Sequence, residues 1–194
     1  MIVSLLNASE QSLVVRVAKE RSEYDKKNNF TDHRKAERQS AEFIEQNGLG
    51  GEIAFCKAFN LYPDIATDYP SEHDAVLPNG TKVEIKTTEY KRGKLIVRRL
   101  NEADVYVLVT GIMPDYNIIG FIRSADIDNF KTKLKSPSGK MNDAYVVHQE
   151  DLHPIEDLLP RNYKDIINDA RRRTDSKPRR NTTTKRRSGN RRKK

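Results

Sequence analysis

The chain is 194 residues long, 36% apolar and 33% charged, with a formal net charge of +8. That length holds one good-sized domain with tails, and that polarity leaves part of the chain outside any core. The single cysteine, Cys56, excludes a disulfide or zinc framework built from the chain's own thiols, and no apolar run approaches a membrane span.

The charge is unevenly spread. Arg171 to Lys194 hold 13 Lys or Arg and one acid, Asp175, a net +12, which leaves residues 1–170 at −4. A tail with almost no apolar residues cannot offset its ordering entropy, so 171–194 is expected to be disordered. A solvated basic arm gains affinity for phosphate backbones by counterion release, without reading sequence. The competing reading is a tail that aids solubility or carries a nuclear address. "MIVSLLNASE" opens apolar but lacks a basic leader, and its apolar run is too short for a signal peptide. With one cysteine, a reducing compartment is the simpler expectation, and Cys56 reads as a small buried hydrophobe.

In chain order, residues 7–27 predict an amphipathic helix. Asn7 can cap it, Glu10 stands where a capping-box acid belongs, and Leu13, Val14, Val17 and Ala18 form one apolar stripe. A second, mostly polar helix is expected from Thr31 to Gln46, stopped by Asn47-Gly48. Leu49, Ile53, Phe55, Cys56 and Phe59 then suit a short buried helix, and "YPDIATDYP" reads as loop. Strands follow at "DAVL", "KVEIKT", "KLIVRR", "DVYVLVTG" and "NIIGFIR"; the fourth is a nearly continuous apolar run and is expected at the sheet's centre. "SADIDNFKTKL" predicts a helix capped by Ser124, "AYVVHQ" a last short strand, "EDLHPIEDLLP" a turn with a helical turn, and "NYKDIINDARRR" a terminal helix. Helices first, then a meander, then mixed elements point to an α/β or α+β domain with one sheet flanked by helices.

The most informative stretch is "DAVLPNGTKVEIK". Pro78, Asn79 and Gly80 suit a type I turn followed by a left-handed glycine, the three-residue hairpin. Leu77 then faces Thr81, Val76 faces Lys82, and Asp74 faces Glu84. In that register Asp74, Glu84 and Lys86 share one face of the sheet. Opposed carboxylates roughly 4.5–5.5 Å apart at Cβ repel, and a divalent cation with hard oxygen ligands removes the conflict. Lys86, roughly 6.5–7 Å further along the strand, is within reach of the same phosphate or water. The competing reading is a solvated strand face on which Lys86 pairs with Glu84 or Glu89.

Asp74 and Glu84-Ile85-Lys86, with nine residues between Asp74 and Glu84, resemble the PD-(D/E)XK nuclease superfamily, the restriction-endonuclease-like fold. The upstream acid that matches best is Glu52 in "GLGGEIAFCKAF", a glycine-led segment like those of the phage and resolvase-like branches, and "ADVYVLVTG" resembles the central strand after the core motif. The resemblance covers about 45–150. His73 stands where the family pattern often has proline. The likeness does not cover the N-terminal helix or the tail. The resemblance implies an α/β fold with a mixed central sheet flanked by helices, so the chain is expected to divide into an N-terminal helical segment over 1–30, a nuclease domain over 31–170 and the basic tail over 171–194. It implies a Mg²⁺-dependent deoxyribonuclease, with Mn²⁺ as a substitute, that leaves 5′-phosphate. Asp74, Glu84, the Ile85 carbonyl and Glu52 would hold metal, and Lys86 would orient or activate water. For Glu52 the alternative is a helix-start acid favoured by the helix dipole.

DNA is the expected partner, a homodimer is one assembly the resemblance allows, and neither a membrane nor a small-molecule cofactor is expected. The expected compartment is the cytoplasm of a bacterial or phage-infected cell, with a nuclear address left open by the tail. Lys91, Arg92, Lys94 and Arg98 beside the site, and Arg179, Arg180, Lys185, Arg186 and Arg187 in the tail, are candidate nucleic-acid contacts. The turn residues are equally readable as solvated. Asp68 and Glu72 rival Asp74 but have no register to place them. His33, His73, His148 and His153 are scattered without metal spacing, and "NGLGGE" lacks the Lys-Ser/Thr of a phosphate-cradling loop. The chief rival is a non-catalytic nucleic-acid-binding module on the same fold; an RNA-directed nuclease or a phage structural accessory is a third.

Overall fold

The computed structural model describes residues 1–28, 40–67, 72–135 and 139–159. The first helix forms as its caps dictate. In α1 (Ala8–Lys27) Asn7 Oδ1 accepts from the Glu10 N–H at 3.0 Å and Glu10 Oε2 accepts from the Asn7 N–H at 2.7 Å, a reciprocal capping box. Val14, Val17 and Ala18 of the predicted stripe are buried. Ahead of it, Ile2–Leu5 form a strand, β1, which the apolar opening had not suggested.

The second helix corrects two expectations at once. It is one element, α2 (Ala41–Ala58), capped by Ser40, whose hydroxyl accepts from the Phe43 N–H at 3.0 Å. It runs straight through Asn47-Gly48, where a stop was expected, and joins the buried segment beyond. Two of its glycines are there for packing. A Cβ on Gly50 would lie 2.1 Å from the Tyr116 hydroxyl, and one on Gly51 would lie 2.0 Å from Thr87 Oγ1. Their usual helix cost of about 1 kcal/mol each is what lets α2 lie directly against the sheet.

That sheet has the order β1, β6 (Asp115–Arg123), β5 (Val105–Ile112), β3 (Lys82–Thr88), β2 (Ala75–Val76), with β9 (His153–Pro154) added on β6. β5 is central, and its first six residues are buried, as its unbroken apolar run predicts. The expected meander is corrected: β3 and β5 run parallel, so the intervening chain leaves the sheet. There, β4 (Leu95–Val97) joins a second, three-stranded sheet of order β4–β8–β7, with β7 at Lys131–Lys135 and β8 at Met141–Val147.

The helix expected over 124–134 is also corrected. Only Ile127–Phe130 make a 3₁₀ turn, and Lys131–Lys135 are strand. Ser124 does not cap a helix; its hydroxyl donates to the Ala103 carbonyl.

α2 covers one face of the central sheet. The other face carries a cluster of Leu95, Val97, Ala103, Tyr106, Leu108, Ile122, Ile127 and Val147, shared with the second sheet. β1 and α1 belong with all the other described elements to one unit, Met1–Leu159. The described part is thus a mixed α/β structure. No helix among the described residues is long and apolar enough to cross a membrane. The predicted terminal helix over 162–173 and the basic tail lie outside the described residues, as does most of the predicted start of the second helix.

Candidate active site

The "PNG" turn forms as its residues require. Leu77 N–H donates to the Thr81 carbonyl at 2.9 Å, Gly80 N–H to the Leu77 carbonyl at 2.8 Å, and Gly80 takes φ +87°. The register follows: Val76 pairs with Lys82 and Ala75 with Val83. Asp74 lies one residue outside the paired strand. Its N–H donates to the Val83 carbonyl at 3.0 Å, so Asp74 and Ala75 both stand against Val83. The expected direct opposition of Asp74 and Glu84 is therefore replaced by an edge position. There Asp74 Oδ2 accepts from the Ile85 N–H at 2.6 Å, taking the place of the strand carbonyl that β2 no longer supplies. Odd-numbered residues of β3 turn their backbone groups to this edge, so the Ile85 carbonyl faces it too.

Glu84 and Lys86 lie on the even-numbered side of β3, with Glu84 beside Tyr106 and Lys86 beside Leu108. Lys86 Nζ donates to Glu84 Oε1. This is the pairing that the solvated-face reading anticipated, but the site is not an open surface. Glu84 is 15% exposed and Lys86 38%. Glu52 lies inside α2, eleven residues past its start, so a helix-start role does not account for it. The flat approach at Gly50 and Gly51 brings it to the sheet edge. Its carboxylate is 3.7 Å from Arg21 of α1 and 21% exposed.

The electrostatics join these groups. Burial and then the Asp74 charge push Glu52 up to about 8, against the opposing pull of Arg21 and Lys86. Burial and then the Glu84 charge push Asp74 up to about 6, against the Ile85 N–H, Lys86 and Arg21. Carboxyls raised in this way remain protonated in the fold at pH values where the unfolded chain has already ionised them. Their contribution to stability is fully present in acid and is lost as pH rises through about 4 to 8. Glu52→Gln is accordingly expected to raise the thermal midpoint of metal-free protein at pH 8 and to leave it nearly unchanged at pH 4.5. An unchanged or lower midpoint at pH 8 contradicts this assignment.

Three residues that no sequence motif marked complete the site. Arg21 donates to the Asp64 and Ala66 carbonyls, each at 3.0 Å, and so ties Glu52 to the loop leading toward Asp74. Glu45, about two turns back along the same side of α2, adds to the negative field at Glu52. Asn101 Nδ2 donates to Glu84 Oε2 at 2.7 Å, while its Oδ1 accepts from the Tyr106 hydroxyl at 3.0 Å and the Ala103 N–H at 3.2 Å. Asn101 thus fastens Glu84 to a fully buried core tyrosine. Asn101→Ala leaves the Tyr106 hydroxyl and one Glu84 oxygen without these partners, at an expected cost of about 1–3 kcal/mol in denaturant unfolding.

The donors have the chemistry of a hard-cation site: three carboxylates and a carbonyl, with Glu52 and Asp74 raised first by burial and then by a neighbouring carboxylate. Glu84 and Lys86 stand on the face of β3 that carries Tyr106 and Leu108, and Glu52 comes from the face that α2 covers. Among the described residues, however, no three His, Cys, Asp or Glu side chains form a ready-made cation cage. Glu84 is instead engaged by Lys86. Lys91, Arg92, Lys94 and Arg98 are all exposed on the chain that leaves β3; the turn is held by Gln149, whose side-chain amide donates to the Lys91 and Gly93 carbonyls at 3.0 and 2.9 Å. Glu72 is exposed and offers its backbone carbonyl to Asn101 at 3.4 Å. Asp68, Arg179, Arg180, Lys185, Arg186 and Arg187 lie outside the described residues. Compared with known proteins, the chain matches no family model, no curated protein and no solved structure.

Proposed function

We propose that the chain is a metal-dependent DNA endonuclease of the PD-(D/E)XK kind, hydrolysing phosphodiester bonds at the Glu52, Asp74, Glu84 and Lys86 site. The observation that carries this reading is the convergence of these residues from α2, the β2 edge and β3 onto one edge, where their charges act on one another. A stabilising design does not gather three partly buried acids around two cations.

Asp74, Glu84, the Ile85 carbonyl and Glu52 would hold a Mg²⁺ ion, which supplies Lewis-acid charge that acidifies water and offsets charge on the phosphorane. The chain's own groups do the rest. Arg21 and Asn101 keep Glu52 and Glu84 in place. Lys86, on a half-exposed stem, can exchange its bond to Glu84 for one to the attacking water or a non-bridging phosphate oxygen. In-line attack of water on phosphorus would break the P–O3′ bond, leaving the 5′-phosphate that the resemblance implies and a 3′-oxygen that takes a proton from solvent as it departs as a hydroxyl. Lys91, Arg92, Lys94 and Arg98 offer exposed charge for the backbone on either side, and the basic tail adds sequence-independent affinity.

The test is a cleavage panel of supercoiled, linear, branched and single-stranded DNA, with RNA alongside, in Mg²⁺, in Mn²⁺ and in chelator. The proposal expects cutting of at least one DNA form that chelator abolishes. Metal-independent binding with no turnover on any substrate supports the non-catalytic module instead; the Lys86–Glu84 pair, which already neutralises one metal ligand, is the feature favouring that rival.

A further inference from the structure

Asp74 also belongs to a second feature. On the outer side of β2 lies an open cavity of about 430 Å³, walled by Tyr62, Pro63, Ile65 and Val76, with Asp64 and Asp74 among its polar lining. Tyr62 is 84% exposed and Val76 47%. An aromatic ring left so open at the rim of a cavity contributes little to a core, whereas it is suited to stacking. β2 is the sheet's edge. Val76 and Lys82 form the pair that does not exchange ladder bonds, because Leu77 bonds to Thr81 and the Lys82 N–H turns the other way, to Asp104 Oδ2 at 2.8 Å. The N–H and C=O of Val76 therefore point outward to the cavity, with no strand partner among the described residues.

We propose that this cavity receives one unstacked nucleobase, from the nucleotide beside the phosphate that the neighbouring acidic site acts on. The chemistry of the lining favours a base over other occupants. Tyr62 and Pro63 present flat apolar faces, and base–aromatic stacking tolerates any base. The Val76 backbone offers one donor and one acceptor, the complement of a base edge. Asp64 Oδ1 accepts from the Ala66 N–H at 2.9 Å; its other oxygen has no partner among the described residues and can accept from the exocyclic amino group of adenine, cytosine or guanine. The volume suits a single base and not a paired duplex. Because Asp74 lines both the cavity and the acidic edge, a base seated there leaves its phosphate next to Glu52, Glu84 and Lys86. The substrate class that follows is DNA with unpaired nucleotides at the cut: a single strand, a flap, a branch or a frayed end.

This inference rests on the nuclease reading for the identity of the adjoining phosphate, but the cavity can be tested without cleavage. The probe is a short single-stranded oligonucleotide carrying one 2-aminopurine, mixed with the full chain in chelator. Stacking on Tyr62 is expected to quench the probe's emission on binding. Tyr62→Ala is expected to remove the quenching and lower the preference for single strand over duplex about tenfold, and Tyr62→Phe to restore both. A second variant, Ala66→Trp, fills the cavity from another wall and is expected to remove the quenching with Tyr62 in place. Quenching and preference that survive both Tyr62→Ala and Ala66→Trp overturn the base site, whatever the enzyme cuts. Loss of both in a protein that cuts no DNA upholds the base site and removes the nuclease reading alone.

Discussion

Lys86→Ala is expected to lower metal-dependent DNA cleavage by roughly 10²–10⁴-fold, the range typical of losing a positioned proton-transfer group. The same change is expected to leave divalent-cation binding intact or tighter. Both outcomes come from one contact: Lys86 is bonded to Glu84, a group the metal would need. Removing the amine frees a ligand while taking away the group that would handle the water. Glu84→Ala removes a ligand and is expected to lose cleavage and cation affinity together. The split between the two variants separates the proposed roles. Cutting that survives both changes contradicts the site assignment, and equal loss of cation binding in both contradicts the division of labour.

The second large effect is expected at Gly51. A Cβ there would lie 2.0 Å from Thr87 Oγ1, 2.9 Å from its Cγ2 and 3.0 Å from its Cβ. Thr87 is β-branched, sits in β3 next to Lys86, and has few rotamers to retreat to. Overpacking of this kind costs about 1–3 kcal/mol or more, against a gain of about 1 kcal/mol from replacing a helical glycine. Gly51→Ala is therefore expected to destabilise the protein by about 1–2 kcal/mol in chemical denaturation, because the 2.0 Å approach puts the overpacking cost at the upper end of its range. It should also impair cleavage, because α2 must lift and Glu52 is the next residue. Adding Thr87→Ala removes the clashing branches and leaves contacts no closer than the original Cβ, so the double variant should recover most of the loss. A Gly51→Ala protein as stable as the parent would mean that α2 does not lie as close to β3 as described.

These two sites illustrate what was legible in the sequence. The hairpin was, because turn chemistry is local: Pro78, Asn79 and Gly80 fix the turn, and the turn fixes the pairing of Val76 with Lys82. Asp74 was expected directly opposite Glu84 and instead lies at the edge beside Ile85, because the extra residue standing against Val83 is an irregularity that no turn residue announces. The continuity of α2 was illegible for a different reason. Glycine at 48, 50 and 51 ordinarily weakens a helix, and only the Tyr116 and Thr87 side chains, from distant strands, explain two of them. The strand at Lys131–Lys135 was hidden by Ser124, a residue with the right chemistry for a cap whose hydroxyl is taken up by Ala103. β1 offered only four residues of pattern. Arg21 and Asn101 carried no signal at all, since their roles come from contacts with residues 43 and 17 positions away.

Calorimetric titration with Mn²⁺ at pH 7, repeated in buffers of different ionisation enthalpy, decides whether Glu52, Asp74 and Glu84 act as one cation site. With Glu52 pushed up to about 8 and Asp74 up to about 6, a cation entering the site must displace protons. Saturable binding with net proton release is expected, both lost in Asp74→Asn and Glu84→Gln proteins. No saturable binding, or binding that releases no protons and persists in both variants, would contradict a single cation site.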